Sequence, residues 1–189
     1  KIALLALATA AAISTPAAAQ NVTGTINITG EVGNKCFVLP GAGSTFGGTV
    51  AMGELSQSNG TLEESSVLAA KFASVGATAN ALTAQVLCTT ADPLVTVTAE
   101  PLLSAVIPDA GYTNRVDYTA DVTFTRVTGT KMVSDSSTVA AGTTEALGGR
   151  LNGTAVNVSV ATSNWDANGV LVAATDYSGK ITVVVAPGA

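Results

Sequence analysis

Val116-Asp-Tyr-Thr-Ala-Asp-Val-Thr-Phe124 alternates without a slip. Val116, Tyr118, Ala120, Val122 and Phe124 are apolar, while Asp117, Thr119, Asp121 and Thr123 are polar. A period of two puts the first set on one face of a strand and the second on the other, the pattern of an antiparallel sheet with one buried side. Leu94-Val-Thr-Val-Thr-Ala99 repeats the pattern, and strands are also predicted over residues 82 to 89, 116 to 127, 155 to 161 and 180 to 186. Breakers separate them at Asp92-Pro93, residues 108 to 111, Gly142-Thr143, Gly148-Gly149 and residues 166 to 169. About seven strands at this spacing predict a β-sandwich. A further short strand is predicted over residues 49 to 55. For residues 62 to 73, Thr61-Leu-Glu-Glu64 ahead of Val67, Leu68 and Phe72 admits a capped helix, with a strand after a turn as the alternative.

The composition suits such a fold. Of 189 residues, 47% are apolar but only 4% aromatic, so the core is built from small branched side chains. One domain of this size can bury a sufficient core. A formal net charge of −5 with eight scattered Lys and Arg argues against nucleic acid as a partner, because a phosphate-binding surface needs clustered cations.

At the amino end, Lys1 precedes an apolar run over residues 2 to 13, then Ser14-Thr-Pro16 and the small-residue site Ala17-Ala-Ala19. Residues 1 to 19 read as a secretory signal peptide, too short in their apolar run for a membrane span, so no span is expected in the mature protein. An oxidising destination predicts that the two cysteines, Cys36 and Cys88, form one disulfide between neighbouring strands.

Histidine is absent, which removes the commonest general base and zinc ligand along with Ser-His-Asp and Cys-His arrangements. The thirteen carboxylates are scattered, with Glu63-Glu64 the one adjacent pair. The glycine-rich run from Pro40 to Gly48 lacks the Lys of a phosphate loop and reads as a flexible connection. Sequons begin at Asn21, Asn27, Asn59, Asn152 and Asn157, and we read them as composition in a chain rich in Thr, Ser and Gly. No enzyme activity, cofactor or metal is expected.

Thr23-Gly-Thr-Ile-Asn-Ile-Thr-Gly-Glu-Val-Gly-Asn-Lys-Cys36 alternates as well, with Gly24, Ile26, Ile28, Gly30 and Val32 on one side. This stretch, the cysteine pair and the closing Tyr177-Ser-Gly-Lys-Ile-Thr-Val-Val-Val185 together resemble subunits of chaperone–usher pili, in the spore-coat-U-like branch. The resemblance implies an immunoglobulin-like antiparallel sandwich that is incomplete and is completed by a donor strand. It divides the chain into the signal peptide, a donor extension over residues 20 to 30 and a pilin domain over residues 31 to 189. Val22, Ile26 and Ile28 would be the inserting side chains, with Gly24 or Gly30 where the acceptor comes close or the chain needs freedom. The implied partners are a periplasmic chaperone, an outer-membrane usher and neighbouring pilus subunits. The implied destination is the cell surface, reached through the periplasm, and the implied role is adhesion or biofilm formation. Strand addition of this kind takes affinity from backbone hydrogen bonds and register from alternate side chains. The alternative is a secreted monomeric sandwich that binds a ligand or carbohydrate, with residues 22 to 32 paired inside its own sheet.

Overall fold

A computed structural model describes residues 26 to 39 and 48 to 188. Residues from Val32 onward form one unit, and the six described residues before it belong to another. The elements in chain order are β1 (Cys36–Val38), α1 (Ser65–Thr78), β2 (Thr83–Ala84), β3 (Val86–Cys88), β4 (Leu94–Leu103), β5 (Tyr112–Thr113) and β6 (Arg115–Arg126), followed by β7 (Gly129–Ser136), β8 (Thr143–Ala146), β9 (Val158–Asp166), β10 (Val170–Leu171) and β11 (Ser178–Ala186).

The fold is all-β, a sandwich of antiparallel sheets, as the alternation predicts. Strand β6 is its centre. Its five apolar alternates, Val116 through Phe124, are all buried, and the intervening Asp and Thr residues are half-exposed. Strand β9 lies antiparallel along one edge of β6 and β7 along the other. On the far side of the core, β4 is flanked by β11 and β8. The two sets join where Leu102 and Leu103 of β4 pair with Val116 and Arg115 of β6. Val95, Val97 and Ala99 from one set and Ala120, Val122 and Phe124 from the other meet in a single core. Its side chains are mostly small and branched, and they are close-packed because each is a stiff rotamer on a pleated surface. The short pair β5–β10 is parallel.

Several expectations need correction. Residues 48 to 55 form no strand: Gly53 takes a left-handed φ of 65°, which breaks an extended run, although Met52 and Leu55 still reach the core. The helix alternative holds for the next segment, but α1 starts at Ser65, with Glu64 at the cap position making no side-chain cap bond. Thr61 is instead bridged to Val170. Leu68, Phe72 and Gly76, four residues apart, form the buried face of α1. Gly76 is there because a Cβ would lie 2.5 Å from Leu82 Cγ. Strands β7 and β8 lie in a region with no clear strand signal, and the alternation of residues 22 to 32 is not realised as a strand in its described part. Residues 26 to 35 are unpaired into any sheet, and the first strand begins at Cys36. A period-two pattern makes a strand only where a partner supplies the ladder.

Candidate strand-acceptor groove

Strand β1 is three residues long, and one paired edge and a disulfide hold it. It pairs antiparallel with β3, Cys36 is opposite Cys88, and those two cysteines are joined in a disulfide. Just before it, the Thr89 hydroxyl accepts from Lys35 N and donates to Gly33 O. The predicted disulfide is therefore formed, between adjacent strands, with Cα atoms 4.1 Å apart.

Strand β11 pairs with β4 along its length, Val183 opposite Val97 and Val185 opposite Val95. Opposed residues share a face of the sheet, so Ile181, Val183 and Val185 point inward with Ala99, Val97 and Val95. Their burial differs: Val95 and Val97 are 0% exposed, whereas Ile181, Val183 and Val185 pack against the core but are only partly buried. The cause is topological. Among the described residues β11 ends its sheet, with no strand on its outer edge, and β1 likewise pairs on one side only. Between β1 and β11 runs a trough of about 120 Å³ lined by Cys36, Phe37, Val38, Val86, Val183 and Val185. Every lining side chain is apolar or a disulfide sulfur. About four water volumes fit such a space, the scale of a branched aliphatic side chain. A bare strand edge over an apolar floor offers two things at once: a row of unpaired N–H and C=O groups for a ladder, and pockets for alternate side chains.

Of the four residues assigned to the donor segment, Val22 and Gly24 lie outside the described residues. Ile26 and Ile28 belong to no strand and are 88% and 91% exposed. They are two large exposed aliphatic side chains that alternate with polar residues along the sequence. The acceptor side of the groove was not legible in the sequence. Phe37-Val38 and Val183-Val184-Val185 are continuous apolar runs, in which alternation cannot tell the inward face from the outward one.

A second concavity, of about 490 Å³, opens at the start of α1. Glu63, Glu64 and Asp166 line it without a basic side chain among the described residues. Trp165 lies at its back, 6% exposed, stacked on Tyr118 at 4.9 Å between ring centroids. That indole face is already occupied and offers no platform to a sugar ring. No group of three or more metal-ligating side chains occurs among the described residues, and no helix there is long and apolar enough to cross a membrane.

Comparisons of the chain with family models, curated proteins and solved structures return no match.

Proposed function

We propose that the protein is a non-enzymatic structural subunit of a bacterial surface pilus that polymerises by donor-strand exchange. The observation that carries this reading is the unpaired outer edge of β11, whose inward side chains are only partly buried, alongside a trough walled by β1. In this reading the sandwich lacks one strand between β1 and β11. The same chain carries an exposed, alternating aliphatic segment immediately before its first strand. The first feature is then a place for a strand, and the second a segment whose alternation suits one. In this reading a periplasmic chaperone first fills the groove, and at the outer-membrane usher residues 20 to 30 of the next subunit replace its strand. Burial of Val22, Ile26 and Ile28 at roughly 1.5 to 3 kcal/mol each gives about 5 to 9 kcal/mol before backbone pairing. Secretion through the periplasm to the cell surface goes with this reading, as do adhesion or biofilm as its use.

The acidic cleft favours a second reading, a monomeric secreted protein that binds a polar ligand. One experiment separates the two. The mature chain and its Ile26→Asp/Ile28→Asp variant are compared on unboiled denaturing gels and by electron microscopy. The pilin reading expects heat-sensitive ladders and fibres from the parent chain and monomer from the variant, with unchanged circular dichroism. A parent chain that stays monomeric with and without chaperone and usher overturns it in favour of the second reading.

A further inference from the structure

The sequence contains three Asn-Gly steps, Asn59-Gly60, Asn152-Gly153 and Asn168-Gly169. At such a step the glycine nitrogen, which no side chain shields, is placed to attack the carboxamide carbon of the asparagine before it. The attack is favoured by two things: a glycine N–H that no acceptor holds, and donors at the carboxamide oxygen, where negative charge develops. Asn59 and Asn152 are alike in the second respect. Each begins the triplet Asn-Gly-Thr and closes the same turn, its Oδ1 accepting from the backbone N–H and the hydroxyl of the threonine two residues on. The distances are 3.0 and 2.7 Å at Asn59 and 3.1 and 2.8 Å at Asn152.

The glycine separates them. Gly60 N donates to Gln57 O at 2.9 Å, so that nitrogen is held, whereas Gly153 N has no acceptor among the described residues. At the third step Gly169 N donates to Ala167 O at 3.2 Å, and the Asn168 side-chain oxygen has no donor among the described residues. Of the three, Asn152 alone combines an unheld nucleophile with two donors at the oxygen. The packing also fixes the glycine: a Cβ at position 153 would run into Leu87 Cδ2. A residue that would slow the attack therefore does not fit there.

We propose that Asn152 is a site of spontaneous deamidation in the folded protein. Gly153 N forms a bond to Asn152 Cγ and gives its proton to water, and the carboxamide nitrogen leaves as ammonia, closing a succinimide ring. Water then opens the ring at one carbonyl to give aspartate, or at the other to give isoaspartate, whose main chain runs through Cβ and Cγ. The sum is one water consumed and one ammonia released. The proposal stands apart from the donor-strand reading. Its reach into the fold is set by Asn157, whose Nδ2 donates to Asn152 O at 2.7 Å and whose Oδ1 accepts from Val86 N at 2.8 Å. In isoaspartate that carbonyl leaves the main chain, which loosens the tie between the turn and Val86 of β3.

The test holds the full mature chain in mildly alkaline buffer, both folded and in concentrated urea, and follows each Asn-Gly peptide by digestion and mass spectrometry. In the folded chain the mass gain at Asn152 should build up about tenfold faster than at Asn59, because freeing the Gly60 N–H adds the loss of one hydrogen bond to the barrier. In urea the two Asn-Gly-Thr sites should convert at the same rate. Asn59 converting as fast as Asn152 in the folded chain, or no conversion at Asn152, overturns the site. A lead for Asn152 that persists in urea also overturns it, since the preference would then lie in the sequence and not in the fold. The isoaspartate fraction should melt below the unaged chain, and equal melting temperatures overturn the coupling through Asn157.

Discussion

Two buried polar residues, Asp135 and Asn157, stand in for strand partners that the topology withholds. Strand β4 changes neighbour between Val97, paired with β8, and Leu102, paired with β6. In that gap the Asp135 carboxylate accepts from Ala99 N at 2.8 Å and from the Thr143 hydroxyl at 2.7 Å. Asn157, one of the five sequon asparagines, is buried with its amide spent on the backbone: Oδ1 accepts from Val86 N, and Nδ2 donates to the carbonyls of Val86 and Asn152. Because a buried N–H without an acceptor carries its full desolvation penalty, Asp135→Ala should lower the unfolding free energy by about 2 to 3 kcal/mol. Exposed Asp109→Ala should change it by less than about 0.5 kcal/mol. Urea titration checks both, and equal midpoints would refute the assignment. Asp117 supplies an acid-dependent term. The Arg115 guanidinium, donating to both its oxygens, and then the Ser137 hydroxyl hold its carboxyl below the ordinary 3.8. A lowered folded value means that the stabilisation is complete above 3.8 and is lost as pH falls through the folded value. The melting-temperature gap between parent and Asp117→Asn should therefore narrow between about pH 7 and about pH 2, and a constant gap would contradict this.

At the scale of elements, β1 is the weak member: three residues, one paired edge and a covalent tie. The tie spans 52 residues of sequence, and closing a loop of that length is worth about 4 kcal/mol in the chain-entropy model. A Cys36→Ser/Cys88→Ser variant should lose about that much stability by denaturant unfolding. Amide exchange at Phe37 and Val38 should also rise well ahead of exchange in β6. Protection of β1 matching that of β6 in the variant would show that pairing alone holds the strand. The contrast between β6 and β11 is the other lesson at this scale. Both read as clear strands, β6 because its faces differ in polarity and β11 because it is rich in valine. Only β6 announces which face is buried. The helix α1 was half legible: Leu68 and Phe72 have helical spacing, but its start depends on the bridge that draws Thr61 to Val170.

For the molecule as a whole, the groove makes a claim that separates stability from assembly. Val183 is half-buried against the core, so Val183→Asp should cost the isolated subunit about 1 to 2 kcal/mol. Its ladder partner Val97, fully buried, should cost several kcal/mol on the same change. If the groove accepts a strand, Val183→Asp abolishes the heat-sensitive ladder while leaving the fold intact by circular dichroism. A Val183→Asp chain that still polymerises would remove β11 from the interface.

Alternation and turn residues depend on local order along the chain, and they sufficed to predict an all-β sandwich and strands β4, β6, β9 and β11, while the run over residues 82 to 89 is divided between β2 and β3 in two sheets; the cysteine pair, read with an oxidising destination, predicted the disulfide. Period-two patterning reports a face, and a face is a property of one strand. It does not report what lies beside that strand. Whether β11 has a neighbour on its outer edge and whether Ile26 and Ile28 enter a sheet depend on residues far apart in sequence. Those were decided by the tertiary structure, because the free edges of β1 and β11 and the trough between them exist only once distant segments have been brought together.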